Sequence, residues 1–129
     1  METARKCVFL GSVFGFLSVA LGAFGAHALK SVLDANQMHA VYETAVQYQM
    51  AHALALLLLG ALADRAITAS TANRVCMLFT FGIIVFSGSL YVLSISNIKI
   101  LGAITPFGGL AFMVGWVMLA LGVRSGETQ

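Results

Sequence analysis

The sequence predicts an all-α integral membrane protein, with four transmembrane helices in an antiparallel bundle and an amphipathic outer segment before helix two. Two observations carry this prediction. The 129 residues are 60% hydrophobic and only 9% charged, with a mean hydropathy of +0.94, whereas soluble domains are about 45–50% apolar and about 25% charged. The chain also contains four apolar stretches close to the roughly 20 residues that cross a hydrocarbon layer about 30 Å thick. We expect one domain over residues 1–129.

The composition also excludes several classes of protein. A soluble domain of this length could not bury so much apolar surface in one core. A disordered tail and a disulfide-stapled secreted module are excluded by the same hydrophobicity. The net charge of +2 comes from 7 Lys and Arg against 5 Asp and Glu without a basic run. No nucleic-acid partner is therefore expected.

The first predicted span runs from Cys7 to Ala26. A signal peptide is the alternative, because Arg5-Lys6 precedes the apolar run and Ala26-His27-Ala28 fits the A-x-A cleavage pattern. The run is longer than the usual signal core of about 7–15 residues. It also carries glycine and serine at the spacing of a helix-packing face, so a retained span is favoured.

The other three predicted spans are Ala45–Ala63, Val75–Ile95 and Ile100–Gly122, and none of the four contains Lys, Arg, Asp or Glu. Each is expected to be helical, because unpaired backbone groups in lipid cost several kcal/mol. The one proline of the chain, Pro106, lies near the start of the fourth span.

The connections carry several local predictions. Ser31-x-x-Asp34 loosely matches a capping box, Asn36 is a candidate cap for a helix that continues into the second span, and Asn73 is a candidate N-cap for the third. Ser96-Asn97 predicts a tight outer turn. Four apolar residues of the first outer connection are expected to lie along the lipid headgroups: Val32, Leu33, Met38 and Val41.

The distribution of basic residues predicts that both termini are cytoplasmic. In that orientation, the inside carries five Lys and Arg residues and the outside carries two, Lys30 and Lys99, as the positive-inside rule requires. The five are Arg5, Lys6, Arg65, Arg74 and Arg124. Cys7 and Cys76 then lie at cytoplasmic helix ends and are expected to be buried free thiols.

Small residues predict where the helices pack closely. The first span contains Gly11-x-x-x-Gly15 and Ser18-x-x-x-Gly22. The fourth span contains a seam of Gly108, Ala111, Gly115 and Gly122. Such seams allow backbones to approach in lipid. Packing within one chain is favoured, and contact with a second copy is the alternative.

Polar side chains gather at one depth in the predicted bundle. With the N-terminus inside and a rise of about 1.5 Å per residue, the outer half holds nearly all of them, while the inner half is apolar. We therefore predict an outer polar pocket that binds a ligand. Its candidate residues are His27, Glu43, Gln47, Tyr48, Gln49, His52, Ser87, Ser89, Tyr91 and Thr105.

The second span presents these groups on two faces. His39, Glu43 and Gln47 follow an i, i+4, i+8 stripe, while Tyr48 and His52 lie on nearly the opposite side. A carboxylate near hydrocarbon needs a cation or a raised pKa. Since His27 has a matching depth, a Glu43–His27 contact is predicted. The alternative for the whole cluster is that its members only hydrogen-bond neighbouring helices.

Sites of other kinds have weaker support. His39 and Glu43 could share a metal, but no further ligands have metal-site spacing. A haem between His27 and His52 would need two imidazoles at similar depth, and the predicted depths of these two differ by most of a half-membrane. No nucleophile motif, P-loop or Rossmann pattern occurs. Neither a cofactor nor a catalytic activity is expected.

Several motifs together resemble a known family. Gly22-Ala-Phe-Gly-Ala-His27, Tyr48-Gln-x-x-His52 and Phe86-Ser-Gly-Ser-Leu-Tyr91 occur in the family's order, followed by Thr105-Pro-x-Gly-Gly109 and Gly115-Trp116. The chain therefore resembles the domain of unknown function 423 family, small inner-membrane proteins of bacteria with a similar transmembrane relative in animals. The resemblance covers nearly the whole chain. It implies a four-helix integral membrane protein and supplies no activity.

The sequence thus favours a small protein of the bacterial inner membrane whose outer polar pocket binds a lipid headgroup or small amphiphile, or docks a partner. Expected partners are membrane lipids, with a homo-oligomer or another membrane protein as further possibilities. The alternative function is a proton-linked transporter or channel subunit acting as an oligomer, with Glu43 and His52 as proton carriers. A membrane enzyme ranks third, because no nucleophile has an orienting partner.

Overall fold

The computed structural model describes the backbone of residues 2–127 and the side chains of residues 2–123. Among these residues, four apolar segments are long enough to cross a membrane: Glu2–Ala26, His39–Leu62, Ala69–Ser96 and Lys99–Val123. In the described part of the chain, the helices confirm the predicted all-α fold with four segments of membrane-spanning length and composition. The Arg124 side chain, one of the charges used to predict the orientation, lies outside the described residues.

The helices follow one another in a simple order. They are α1 (Glu2–Ala26), α2 (Lys30–Asn36), α3 (His39–Leu62), α4 (Ala69–Gly82), a π-helical turn (Ile83–Ser87), α5 (Gly88–Ser96), a 3-10 turn (Lys99–Ala103) and α6 (Thr105–Glu127). The third span is therefore α4, the π-helical turn and α5 in succession. We call the end of the bundle that carries α2 the α2 end, and the opposite end the terminal end.

Two close helix pairs form the bundle, because α1 packs chiefly on α3 and α4 chiefly on α6. A Cβ atom on Gly11 would lie 2.8 Å from the Ala53 carbonyl oxygen, and one on Gly115 would lie 2.6 Å from the Phe79 ring. Both contacts are within the chain, as the sequence favours. Gly15 has nothing within 4 Å of its Cβ position, so its predicted packing role is wrong.

The main buried core lies between these pairs, and it includes Phe79, Leu56 and both cysteines, which are free thiols. The prediction of two buried, unbridged cysteines is therefore confirmed. At the terminal end, Lys6 donates a hydrogen bond to Asn73, which lies inside α4. Thr68 caps α4 instead, accepting from the Thr71 N–H at 3.2 Å, so the predicted Asn73 cap is wrong.

The connection before the second span is a separate helix and not an extension of it. Gln37 adopts a left-handed φ of 56° between α2 and α3, which ends one helix before the next begins. Asn36 does not cap the span, because its amide donates to the Ser94 and Ile95 carbonyls at 2.9 and 3.0 Å. The predicted cap at Asn36 is therefore wrong, whereas the predicted helix that continues into the second span is confirmed, because α3 runs unbroken from His39 to Leu62.

The packing of α2 also differs from the predicted headgroup location. The Leu33 side chain is completely buried, so it does not lie along the headgroups. No side-chain hydrogen bond caps α2 at Leu29, and the capping box predicted at Ser31 is absent. Buried Leu33 and the Asn36 amide instead fix α2 against the bundle and the end of α5.

Candidate functional site

The predicted site residues do not share one pocket. His27 is exposed, and the other nine fall into three surroundings: a cavity between α1 and α3, a set of contacts between helices, and a groove on the opposite side of α3. The two faces of α3 are as its helical spacing predicts, and they keep Glu43 apart from Tyr48 and His52. The prediction of a single pocket shared by all four spans is therefore wrong.

The cavity between α1 and α3 at the α2 end, which we call the charged cavity, has a volume of about 350 Å³. Its walls carry polar side chains, and its floor is formed by small apolar residues. The polar members are Lys30, His39, Tyr42, Glu43 and Gln47, and the floor includes Gly22, Ala26 and Val46. The Tyr42 hydroxyl donates to the Leu21 carbonyl, which fixes the ring between α1 and α3.

Asp34 holds two groups at the rim of the charged cavity. One carboxylate oxygen lies 3.0 Å from Lys30 Nζ, and the other lies 2.7 Å from His39 Nε2. The hydrogen bond from Lys30, together with the nearby Lys30 and His39 charges, lowers the pKa of Asp34 below its ordinary value of 3.8. Both carboxylate oxygens are therefore engaged: the pair with Lys30 lies within α2, and the pair with His39 joins α2 to the start of α3.

We expect Asp34→Asn to loosen α2 at neutral pH without unfolding the spans. Because the pKa of Asp34 is lowered in the folded state, its contribution is complete above the ordinary pKa and is lost as the pH falls through the lowered value. Hydrogen–deuterium exchange of the α2 peptide should become severalfold faster in this variant. Ser31→Ala, on the same exposed helix, is the matched control and should leave the exchange unchanged. Equal exchange in both variants would contradict the role assigned to Asp34.

The predicted contact between Glu43 and His27 is wrong. Among the described residues, ion pairs in this region join Asp34 to Lys30 and His39, and no pair within 4.0 Å joins Glu43 to His27. His27 is exposed and does not line the charged cavity. The sequence predicts similar depths for the two residues, but only Glu43 lines the charged cavity.

Five of the predicted ligand-binding residues instead hydrogen-bond across or along the helices. Gln49 donates to the Phe14 carbonyl at 2.9 Å and accepts from the Tyr91 hydroxyl at 2.6 Å. Ser87 donates to the Ala45 carbonyl at 2.8 Å. The Ser89 and Thr105 hydroxyls lie 2.6 Å apart. These contacts satisfy buried polar groups, which is the ordinary use of such residues in membranes.

The third surrounding is a groove of about 400 Å³ between α3 and α6, which we call the aromatic groove. Tyr48, His52, Phe86, Phe112 and Trp116 supply its rings. The imidazole of His52 stacks on Phe112 with ring centroids 3.6 Å apart. The groove is therefore nearly all aromatic and aliphatic.

Both ring nitrogens of His52 have partners. Trp116 Nε1–H donates to Nε2 at 3.0 Å, and Nδ1 lies 2.8 Å from the Tyr48 carbonyl oxygen. Since Nε2 accepts, Nδ1 carries the proton and donates, which is the neutral tautomer. An imidazole held in this way has no free nitrogen for a ligand or a passing proton.

Sequence reasoning missed Trp116 and the rim residues Lys30 and His39. Trp116 is too deep for an interfacial aromatic, and that depth was the available signal for a buried partner. His39 lies on the same stripe as Glu43, so its position was visible in the spacing. Among the described residues, no group of three His, Cys, Asp or Glu side chains could hold a metal ion.

The amino-acid sequence of the chain matches a family of known proteins. Residues 21–109 match the family described as "Protein of unknown function (DUF423)". The chain belongs to the DUF423 family. It is 46% identical over 115 residues to a UPF0382 membrane protein of Staphylococcus saprophyticus, covering 89% of this chain and 93% of that protein. No solved structure matches this chain.

Two further relatives extend the comparison. The UPF0382 membrane protein YwdK of Bacillus subtilis is 44% identical over 88% of this chain and 92% of its own. The UPF0382 inner membrane protein YgdD of Escherichia coli is 37% identical over 93% and 90%. The DUF423 match contains every residue that lines the charged cavity, whereas Phe112 and Trp116 of the aromatic groove lie beyond it.

Proposed function

We propose that this DUF423 protein binds the headgroup of a membrane amphiphile in the charged cavity. One observation carries the proposal: the cavity places the side chains of Lys30, His39 and Glu43 above a floor formed by Gly22 and Val46. An amphiphile offers the same two chemistries, a polar head and an apolar chain. Burying either part against the wrong surface would be unfavourable.

The floor of the cavity suits an acyl or alkyl chain. Gly22 contributes no side chain, and a Cβ built there lies 3.5 Å from Val46 Cγ1, an ordinary van der Waals contact. The volume of about 350 Å³ lies in the range of small-molecule sites. It accommodates a headgroup and the first part of a chain, and the remainder of the chain would continue into the surrounding lipid.

The proposed location is the cytoplasmic membrane of a bacterium, with both termini inside and the charged cavity in the outer leaflet. Five Lys and Arg residues inside against two outside support this orientation. The name of the E. coli relative YgdD, an inner membrane protein, supports the compartment.

Binding is favoured over proton transport and over catalysis. Both His52 nitrogens are engaged, which removes one of the two proton carriers that a transporter would need. The Tyr42 hydroxyl on the cavity wall donates its hydrogen bond to the Leu21 carbonyl, a backbone acceptor and not a catalytic base. We therefore assign no catalytic residue.

Filling the cavity tests the proposal. Gly22→Leu places a side chain into the space above Val46, and we expect about a tenfold loss of bound amphiphile, the equivalent of about 1.4 kcal/mol. Native mass spectrometry of protein purified from bacterial membranes measures the bound mass. The wild type should retain an adduct of lipid mass.

Gly15→Leu is the matched control, because it makes the same change on α1 at a position with nothing within 4 Å. It should retain the amphiphile like the wild type. Equal retention in both variants, or equal loss from both, would exclude the charged cavity as the binding site. A stoichiometric protein partner in place of a lipid adduct would favour the docking role.

A further inference from the structure

The positive groups at the rim of the charged cavity are already paired. Lys30 and His39 lie against the two oxygens of one carboxylate, Asp34, at 3.0 and 2.7 Å. An arriving anion would have to compete with Asp34 for both of them. The rim therefore has little positive charge left to attract a phosphate or a carboxylate.

Glu43 is in the opposite situation. It lies one turn beyond His39 on the same stripe of α3, and Gln47 lies one turn further. Among the residues that the structure describes, neither Glu43 nor Gln47 makes a side-chain hydrogen bond or an ion pair. The cavity thus offers one uncompensated carboxylate and one free amide to its ligand.

We infer that the ligand of the charged cavity carries a protonated amine. This inference rests on the proposed function and adds the charge of the headgroup. An ammonium group has three donors and no acceptor, so it matches the two Glu43 oxygens and the Gln47 carbonyl oxygen. A negative headgroup would instead meet the Glu43 charge near hydrocarbon, where screening by water is weak.

The position of the apolar floor fits the same ligand. Glu43 and Gln47 flank Val46 on α3, and Val46 lies opposite Gly22 of α1. An amine bound at Glu43 can therefore extend its chain over Gly22 and Val46. Two sources share this chemistry, an aminophospholipid and a free amphiphilic amine.

Binding of two amphiphiles with equal chains tests the charge preference. In purified protein in detergent, we expect dodecylamine to bind at least about tenfold more tightly than dodecyl phosphate, which is the order of one charge-assisted hydrogen bond. Glu43→Gln should remove that preference with little change in shape. Glu2→Gln, the same change at the terminal end, is the matched control and should keep it.

The outcomes separate this inference from the proposed function. Equal binding of both amphiphiles, with Gly22→Leu still weakening both, would overturn the amine inference and leave the cavity as a binding site. Binding that ignores Gly22→Leu would overturn the proposed function itself. A preference that survives Glu43→Gln would overturn the assignment of the amine to Glu43.

A second arm distinguishes the two sources of the amine. The protein is equilibrated in nanodiscs with phosphatidylethanolamine and phosphatidylglycerol of identical acyl chains. Enrichment of phosphatidylethanolamine in the bound fraction, lost in Glu43→Gln, would support an aminophospholipid. Retention of dodecylamine without that enrichment would support a free amphiphilic amine, and enrichment of phosphatidylglycerol would overturn the inference.

Discussion

Replacing Gly108 with alanine is expected to destabilise the bundle by about 1–3 kcal/mol, the usual cost of overpacking. A Cβ atom on Gly108 would meet the backbone nitrogen of Phe86 and would lie 2.8 Å from its Cα. Backbone atoms in a helical turn cannot rotate away as a side-chain end can. The α6 helix would have to move away from the third span, and the interhelical hydrogen bond between Ser89 and Thr105 lies beside this contact.

The control is the adjacent residue. Gly109→Ala places its Cβ 3.7 Å from the Phe86 ring, an ordinary contact, and alanine is a better helix former than glycine by about 1 kcal/mol. The free energy of unfolding, measured by circular dichroism during titration of mixed micelles with a denaturing detergent, should fall only for Gly108→Ala. Similar stability in the two variants would show that α6 does not approach the π-helical turn this closely.

Phe79→Ala is expected to have the largest effect, a loss of about 3–5 kcal/mol. The Phe79 ring is completely buried in the main core and packs edge-on to His52, with ring centroids 5.0 Å apart. It also contacts Trp116, again at 5.0 Å between centroids. Its removal would leave a cavity beside the only tryptophan of the chain. The same detergent titration measures the loss.

Two further variants make this prediction specific. Phe81→Ala removes the same side chain two residues later on α4, where it is 51% exposed, and should cost far less. Gly115→Ala alone places a Cβ 2.6 Å from the Phe79 ring. In the Phe79→Ala background the ring is gone, so that clash should disappear, with a coupling energy of about 0.5–3 kcal/mol. Strict additivity of the two changes would contradict the contact.

The sequence was sufficient to predict the features that depend on neighbouring residues or on position along one helix. Membrane thickness fixes the length of an apolar span. Three of the four predicted spans lie within the observed segments, and the second, Ala45–Ala63, extends one residue beyond Leu62. The period of a helix fixes its faces, so the separation of Glu43 from His52 was predictable. The close packing at Gly108 and Gly115 was predictable from their spacing on α6, whereas the structure was needed to identify Phe86 and Phe79 as their partners.

What failed depends on how the helices rotate against one another. Glu43 and His27 have similar predicted depths but make no ion pair. Depth along the bundle does not determine a contact, because a contact also requires the two helices to lie beside each other with the two side chains facing. Gly15 belongs to a small-residue motif, but the buried positions of α1 are Cys7, Gly11, Ser18 and Gly25. From Gly11 onward their spacing is seven residues, and the motif alone did not indicate which register faced α3.

The π-helical turn Ile83–Ser87 is a further reason why the prediction of one shared pocket failed. A π turn accommodates more residues than an α turn, so the residues after it face a different direction from an uninterrupted helix. Ser87 consequently donates to the Ala45 carbonyl, while Ser89 contacts Thr105. No glycine or proline within the five residues marks this change of register.

The hydrogen bond from Trp116 to His52 has a practical consequence. Trp116 is the sole indole in the chain, and its N–H is held by an imidazole in the interior of the bundle. Its fluorescence therefore comes from one known place, without labelling or background from other tryptophans. Changes in the emission wavelength or lifetime of Trp116 would report when an apolar molecule enters the aromatic groove. The protein therefore carries its own optical sensor at a depth where an attached dye would disturb the packing of the helices.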